Sequence, residues 1–113
     1  MRRTTCRTAT GRVEICDAPR ASPDWDVSLA LSVAAERGAD RLAVMSARGC
    51  LGLVLVDELR AEPADKTLGE CALRAVRAIP TGASLEDAAA VAARCEGGVV
   101  CEVDGELACI TAA

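Results

Sequence analysis

Seven cysteines are the residues of this chain that could most readily do chemistry, because the sequence contains no histidine and no tyrosine. Thiolates act as nucleophiles, form disulfides and bind zinc. No two of the cysteines form a C-x-x-C pair, and an all-thiolate zinc site would need scattered positions. We expect small apolar core residues, with redox sensing or metal binding as the alternative. The seven are Cys6, Cys16, Cys50, Cys71, Cys95, Cys101 and Cys109.

Acid-base catalysis has few candidates in this sequence. With no histidine or tyrosine, proton transfer would fall to a tuned carboxylate, a lysine or a cysteine. Lys66 is the only lysine and lies in a predicted connector, and no cysteine has a local base beside it. We therefore predict that the protein is not an enzyme.

The charge and composition of the chain limit the classes of partner that it could bind. The net charge of −4 and the single aromatic residue, Trp25, argue against nucleic acid, which needs a basic surface or stacking side chains. No apolar run is long enough for a membrane span, and the N-terminal arm lacks the apolar core of a secretion signal, so we expect no membrane partner and a cytoplasmic location. A core built from small apolar side chains gains little transfer energy per residue, which favours a homodimer.

The two halves of the chain repeat one another at a spacing of roughly 57 to 59 residues. Residues 26–37 and 84–95 both predict an amphipathic helix, the first capped by Asp26 and the second by a capping box from Ser84 to Asp87. Each predicted helix is followed by two apolar strands, and the second pair is joined by the hairpin signal Asp104-Gly105.

These elements predict an α/β (α+β) fold made of two βαββ(α) repeats, packed sheet to sheet with pseudo-two-fold symmetry. We place an N-terminal arm at 1–20, the first repeat at 21–61, a connector with a linker helix at 62–74 and a second repeat at 75–113. The arm carries the basic stretch Arg2, Arg3, Arg7 and Arg12, and we expect a solvated or weakly ordered tail, or a contact with an acidic partner. Within it, residues 13–16 could form a helical turn or a short strand.

The repeated order, the helix start Ser84-Leu85-Glu86-Asp87-Ala88, the Asp104-Gly105 turn and the connector Thr67-Leu68-Gly69-Glu70-Cys71 resemble a tandem pair of cystathionine-β-synthase (CBS) domains, also called a Bateman module. The resemblance covers about residues 20–113. It implies a regulatory protein that binds an adenosine-containing ligand in the cleft between repeats, such as AMP, ADP, ATP or S-adenosylmethionine. It also implies a regulated partner protein, and a second repeat shortened at its C-terminus, which another subunit could complete.

The family's ligand signature is glycine, then a hydroxyl residue, then aspartate, at three-residue steps. In the first repeat these positions are Gly52, Leu55 and Glu58, so the acid is one methylene longer and the hydroxyl is lost. In the second repeat the chain ends before any acid. By the same resemblance, Ala78 and Val100 would line the adenine side, with Arg60 and Arg77 as the nearest phosphate candidates.

Two functions from different classes therefore remain open. In the first, the protein is a sensing module in which one adenosine-containing nucleotide biases the geometry of a dimer. In the second, it is a degenerate pair that has kept the scaffold and lost the ligand, and that serves dimerisation or partner docking. The lost hydroxyl and missing second acid favour the scaffold, whereas Gly52 and Glu58 leave sensing open.

Overall fold

The computed structural model describes residues 3–8, 11–79, 82, 84–95, 98–103 and 106–112. These residues form a mixed α+β fold of two sheets and three α-helices. The elements in chain order are β1 (Arg3–Thr8), β2 (Gly11–Asp17), β3 (Arg20–Ala21), α1 (Val27–Arg37), β4 (Arg41–Ser46), β5 (Gly49–Leu55), α2 (Val56–Leu59), a 3₁₀ turn (Leu68–Glu70), β6 (Arg77–Ala78), α3 (Leu85–Ala92), β7 (Val99–Val103) and β8 (Glu106–Ala112).

The two halves of the chain have the same strand topology. β3 pairs parallel with β4, which pairs antiparallel with β5, and β6, β7 and β8 repeat this pattern. The first half is a three-stranded sheet in the order β3-β4-β5, and the second belongs to a five-stranded sheet in the order β1-β2-β8-β7-β6. The order strand, helix, strand, strand that the sequence predicts for each half is present.

The N-terminal segment corrects the expectation of a weakly ordered tail. β1 and β2 are paired antiparallel, and β2 continues the five-stranded sheet through its pairing with β8. Val13 and Cys16 of β2 are both buried, on opposite faces of the strand, and Val13 packs in the cluster that contains α3. Residues 11–17 of the segment interpreted as an arm therefore continue the sheet and contribute to the core, and residues 13–16 are strand rather than a helical turn.

The helix starts follow the caps predicted from the sequence. Asp26 Oδ1 accepts a hydrogen bond of 2.7 Å from the amide of Leu29, and Ser84 Oγ accepts one of 3.1 Å from the amide of Asp87. Gly38 ends α1 with a left-handed φ of 64°, and its amide bonds back to the last turn. Asp104 and Gly105 lie outside the described residues, although Val103 pairs with Glu106 across the position of that turn.

The buried apolar side chains form three clusters, each lying between two layers of secondary structure. α1 packs on the three-stranded sheet, and α3 packs on the five-stranded sheet. The third cluster joins Ala43 and Leu53 from the first sheet to Val100 and Cys109 from the second. Alternate side chains along the strands therefore pack against a helix on one face of each sheet and against the other sheet on the opposite face.

Each half also sends its incoming segment across to the sheet of the other half. The amide of Ala18 donates to the carbonyl of Leu107 at 3.1 Å, and Leu53 and Arg74 exchange two backbone hydrogen bonds of 2.9 and 2.8 Å. The connector contains a 3₁₀ turn at Leu68–Glu70 where the sequence predicts a linker helix. No helix among the described residues is both long and apolar enough to cross a membrane.

Candidate functional site

A cavity of about 490 Å³ lies between the segment from β3 to α1 and the turn from β4 to β5. Its volume is within the usual range for small-molecule sites. Its walls combine a cation, a carboxylate, hydroxyls and the only aromatic ring of the chain. The lining residues are Arg20, Ala21, Ser22, Pro23, Asp24 and Trp25 from the first segment, with Met45, Ser46 and Ala47 from the second.

Local structure fixes the shape of this cavity. The amide of Trp25 donates to the carbonyl of Ser22 at 3.1 Å, and Ser22 Oγ accepts from the amide of Asp24 at 3.2 Å, so residues 22–25 form a tight turn. On the opposite wall, Ser46 Oγ accepts from the amide of Arg48 and donates to the carbonyl of Gly49. Trp25 is half-buried against the core of the first half, so one side of its ring is held by packing.

The connector between the halves is hydrogen-bonded to the same loop. The amide of Leu68 donates to the carbonyl of Trp25 at 2.9 Å, and the amide of Gly69 donates to the carbonyl of Pro23 at 3.0 Å. A side chain at position 69 would approach the Pro23 carbonyl oxygen to 3.3 Å, which explains the small residue there. A group bound against the loop would therefore act on the segment that leads into the second half.

Two of the residues predicted from the sequence lie in the strand of the second half that is equivalent to β3. Arg77 and Ala78 form β6 and occupy the same topological position as Arg20 and Ala21 of β3. Both β6 residues are exposed. Pro80 and Thr81, which follow them, lie outside the described residues, so the predicted adenine-side residue Ala78 is described only as an exposed edge position.

The signature positions of the first half are close together but already engaged. Leu55 and Glu58 line one small cavity of about 110 Å³, and Gly52 is buried where the chain at Leu73 and Arg74 crosses it. Glu58 accepts two hydrogen bonds from the guanidinium of Arg74, at 3.2 and 3.0 Å. The carboxylate predicted to hold a ligand therefore holds a side chain of the connector.

The other predicted residues are not gathered around this cavity. Val100 is buried between the two sheets with 2% exposure. Arg60 is exposed and forms an ion pair of 2.7 Å with Asp57 of its own helix. The structure thus brings Gly52, Leu55 and Glu58 to one region and leaves Val100 and Arg60 outside it.

A third cavity, of about 210 Å³, lies where the two halves meet. Arg37 at the end of α1 reaches Glu106 at the start of β8 at 3.4 Å, and both side chains are at least half exposed. Exposed pairs of this kind contribute about 0–1 kcal/mol. Arg20 lines both this cavity and the cavity of about 490 Å³.

The cysteines follow the core expectation only in part. Cys16, Cys71, Cys101 and Cys109 are buried, Cys50 and Cys95 are half-buried, and none of these six forms a disulfide. Burial raises the pKa of Cys50, Cys71, Cys101 and Cys109. Within the described part of the chain, no group of three or more cysteine and carboxylate side chains could hold a metal ion.

Neither the models of protein families nor the curated proteins match the sequence of this chain.

Sequence reasoning missed the larger cavity because it followed the signature positions of the resemblance. One signal was present: Arg20-Ala21 and Arg77-Ala78 are identical dipeptides in equivalent places of the two halves. Trp25 was identified as the single aromatic residue, but which side chains converge on it depends on the fold.

Proposed function

We propose that this protein is a small regulatory module, built as a tandem pair of CBS domains, that binds an adenosine-containing nucleotide. The ligand would occupy the cavity of about 490 Å³ beside Arg20 and Trp25. That cavity is the observation on which the proposal depends. The common strand topology of the two halves supports the domain pair.

The lining of the cavity suits the parts of a nucleotide. Arg20 offers a guanidinium for phosphate, and Asp24 offers a carboxylate that can accept both hydroxyls of a ribose. Trp25 and Met45 offer apolar surface for the base, since indole rings favour stacking and flat contacts. The hydroxyls of Ser22 and Ser46 add donors at the rim.

Regulation would act through the connector. A ligand changes a protein's conformational balance only by binding one arrangement more tightly than another. Since the backbone of residues 68 and 69 bonds to the cavity loop, a ligand that holds Pro23 and Trp25 also restricts the connector. The proposed output is the relation between the two halves, or between the copies of a homodimer, as read by a partner protein.

The ion pair between Glu58 and Arg74 favours the second candidate, a scaffold without a ligand. Arg74 already neutralises the only signature carboxylate, and the adjoining cavity of about 110 Å³ is too small for a nucleotide. In this alternative the domain pair serves dimerisation or partner docking, and the larger cavity remains empty at physiological nucleotide concentrations.

Trp25 fluorescence tests the proposal directly, because no other tryptophan or tyrosine contributes emission. We expect a saturable change with at least one of AMP, ADP, ATP and S-adenosylmethionine, each titrated to about a millimolar, and a matching rise in melting temperature. Arg20→Ala should weaken that binding by about tenfold or more, since it removes a charge-assisted hydrogen bond.

Two control variants separate the possible sites. Arg77→Ala changes the equivalent exposed arginine of the second half and should leave affinity unchanged. Glu58→Ala should also leave it unchanged; loss of binding in Glu58→Ala with normal binding in Arg20→Ala would place the ligand at the signature residues instead. Constant fluorescence and melting temperature across the four ligands would favour the scaffold.

A further inference from the structure

Two buried thiols lie directly opposite each other in the five-stranded sheet. The antiparallel register pairs Cys16 of β2 with Cys109 of β8, and each residue is 1% exposed. Residues opposed in this way point to the same face, with Cβ atoms about 4.5–5.5 Å apart. A disulfide needs about 3.5–4.5 Å, so a shift of roughly an ångström would join the two sulfurs.

A guanidinium lies beside this thiol pair. Arg41 Nη1 is 3.8 Å from the Sγ of Cys109, and Asp40 holds the same guanidinium through a contact of 3.0 Å to its Nε. Burial lowers the pKa of Arg41, but the hydrogen bond and charge of Asp40, together with Cys109, raise it on balance. Arg41 therefore stays charged and offers a permanent cation to a sulfur anion.

A cation lies beside the Sγ of Cys109. Burial raises the pKa of the Cys109 thiol, and the pKa stays raised although the hydrogen bond and charge of Arg41 lower it. Only a thiolate attacks an oxidant, and a nearby arginine stabilises it. The side chain of Arg41 is 17% exposed and that of Asp40 is 39% exposed, so the guanidinium that contacts Cys109 is itself partly open to solvent.

We propose that Cys16 and Cys109 form a redox modification site, at which hydrogen peroxide closes a disulfide between β2 and β8. The Cys109 thiolate attacks one peroxide oxygen, the O–O bond breaks, and a sulfenic acid and hydroxide form. The hydroxide takes the proton that Cys109 released and becomes the first water. The Cys16 sulfur then attacks the sulfenic sulfur, and the hydroxyl leaves with the Cys16 proton as the second water. In total, two thiols and one hydrogen peroxide give one disulfide and two waters.

Three other described cysteines, Cys50, Cys71 and Cys101, are less suited to this reaction. Cys101 sits on the opposite face of β7, packed against α3, and Cys71 belongs to the core of the first half. Cys50 packs at the edge of the cluster that contains Cys109, but it lies in the other sheet. The cross-strand register singles out Cys16 and Cys109.

The modification would change how the sheets contact one another. The disulfide ties the N-terminal hairpin covalently to the second half and removes the thiol that Arg41 contacts. Arg41 belongs to β4, so this contact joins the two sheets. Cross-strand disulfides that need such a shift are strained, and strained disulfides are the readily reduced ones. The device is therefore reversible by a thiol reductant.

Peptide mapping of the intact protein tests the proposal. After hydrogen peroxide treatment and alkylation of free thiols, cleavage by trypsin and a glutamate-specific protease releases Cys16 in residues 15–20 and Cys109 in residues 107–113. We expect these two peptides as one cross-linked species that a reductant separates.

Variants check that the pair forms by the proposed route. Arg41→Gln should slow disulfide formation by about tenfold, because it removes the charge that favours the thiolate. Cys101→Ser should form the Cys16–Cys109 disulfide at the normal rate. A cross-link between other cysteines would overturn the proposal. Oxidation of Cys50 and Cys95 while Cys16 and Cys109 still react with the alkylating agent would also overturn it.

Discussion

Gly52 is the residue whose role changes most between the sequence and the structure. The resemblance assigns it to a ligand signature, whereas its backbone has φ of +153° and lies against the crossing connector. A Cβ there would come within 2.8 Å of the Arg74 carbonyl oxygen and 2.9 Å of the Leu73 Cβ. Such distances force backbone to move, so the glycine permits the crossing of one half onto the other.

We expect Gly52→Ala to lower the free energy of unfolding by about 3 kcal/mol, combining backbone strain with overpacking. Gly49→Ala is the matched control, because its φ of +119° is also positive but nothing lies within 4 Å of its Cβ. Gly49→Ala should cost about 1 kcal/mol. Urea denaturation of both variants measures the difference, and equal losses would show that the crossing tolerates a side chain.

At the scale of elements, α1 connects three parts of the molecule. Asp26 caps its N-terminus, its first amides donate hydrogen bonds to the connector, and the loop before it lines the cavity of about 490 Å³. The amide of Val27 donates to the carbonyl of Lys66 at 2.8 Å, and that of Ser28 donates to the carbonyl of Ala64 at 3.1 Å. The orphan donors of the first turn are thus satisfied partly by the cap and partly by the connector.

Asp26→Ala should therefore destabilise the protein by about 1 kcal/mol, the usual cost of losing a cap. Asp26→Asn should recover most of that loss, because asparagine caps about as well as aspartate. Asp24→Ala removes an exposed carboxylate two residues earlier and should change stability by less than about 0.5 kcal/mol. Thermal melts compare the three variants; a large loss in Asp24→Ala would contradict this assignment of the cap.

At the scale of the whole molecule, the two halves share the cluster between the sheets. Leu53 is 3% exposed within that cluster and also bonds through its backbone to Arg74. Halves of this size bury too little surface to be stable alone. The joint cluster, the exchanged segments and the N-terminal hairpin therefore make the halves one cooperative unit.

Leu53→Ala should lower the free energy of unfolding by about 3 kcal/mol, since it leaves a cavity between the sheets. Leu51→Ala makes the same change on the same strand at a side chain that is 48% exposed, and should cost about 0.5 kcal/mol. Urea titration followed by circular dichroism should show one transition in both variants. Two separate transitions in Leu53→Ala would mean that the halves unfold independently.

The sequence alone determined the elements whose signals are local. The caps at Asp26 and Ser84, the stop at Gly38 and the order of strands in each half depend on side chains that act within a few residues. The internal repeat was readable for the same reason, because equivalent elements carry equivalent local patterns.

Tertiary structure decided everything that depends on which distant residues meet. The pairing of β2 with β8 placed an arginine-rich segment in a sheet and brought Cys16 opposite Cys109. The crossing at Arg74 gave Gly52 a packing role and gave Glu58 an internal partner. A cavity beside Arg20 and Trp25 arose where a loop and a turn from separate strands come together. Such contacts are set by long-range packing, to which local propensity gives no guide.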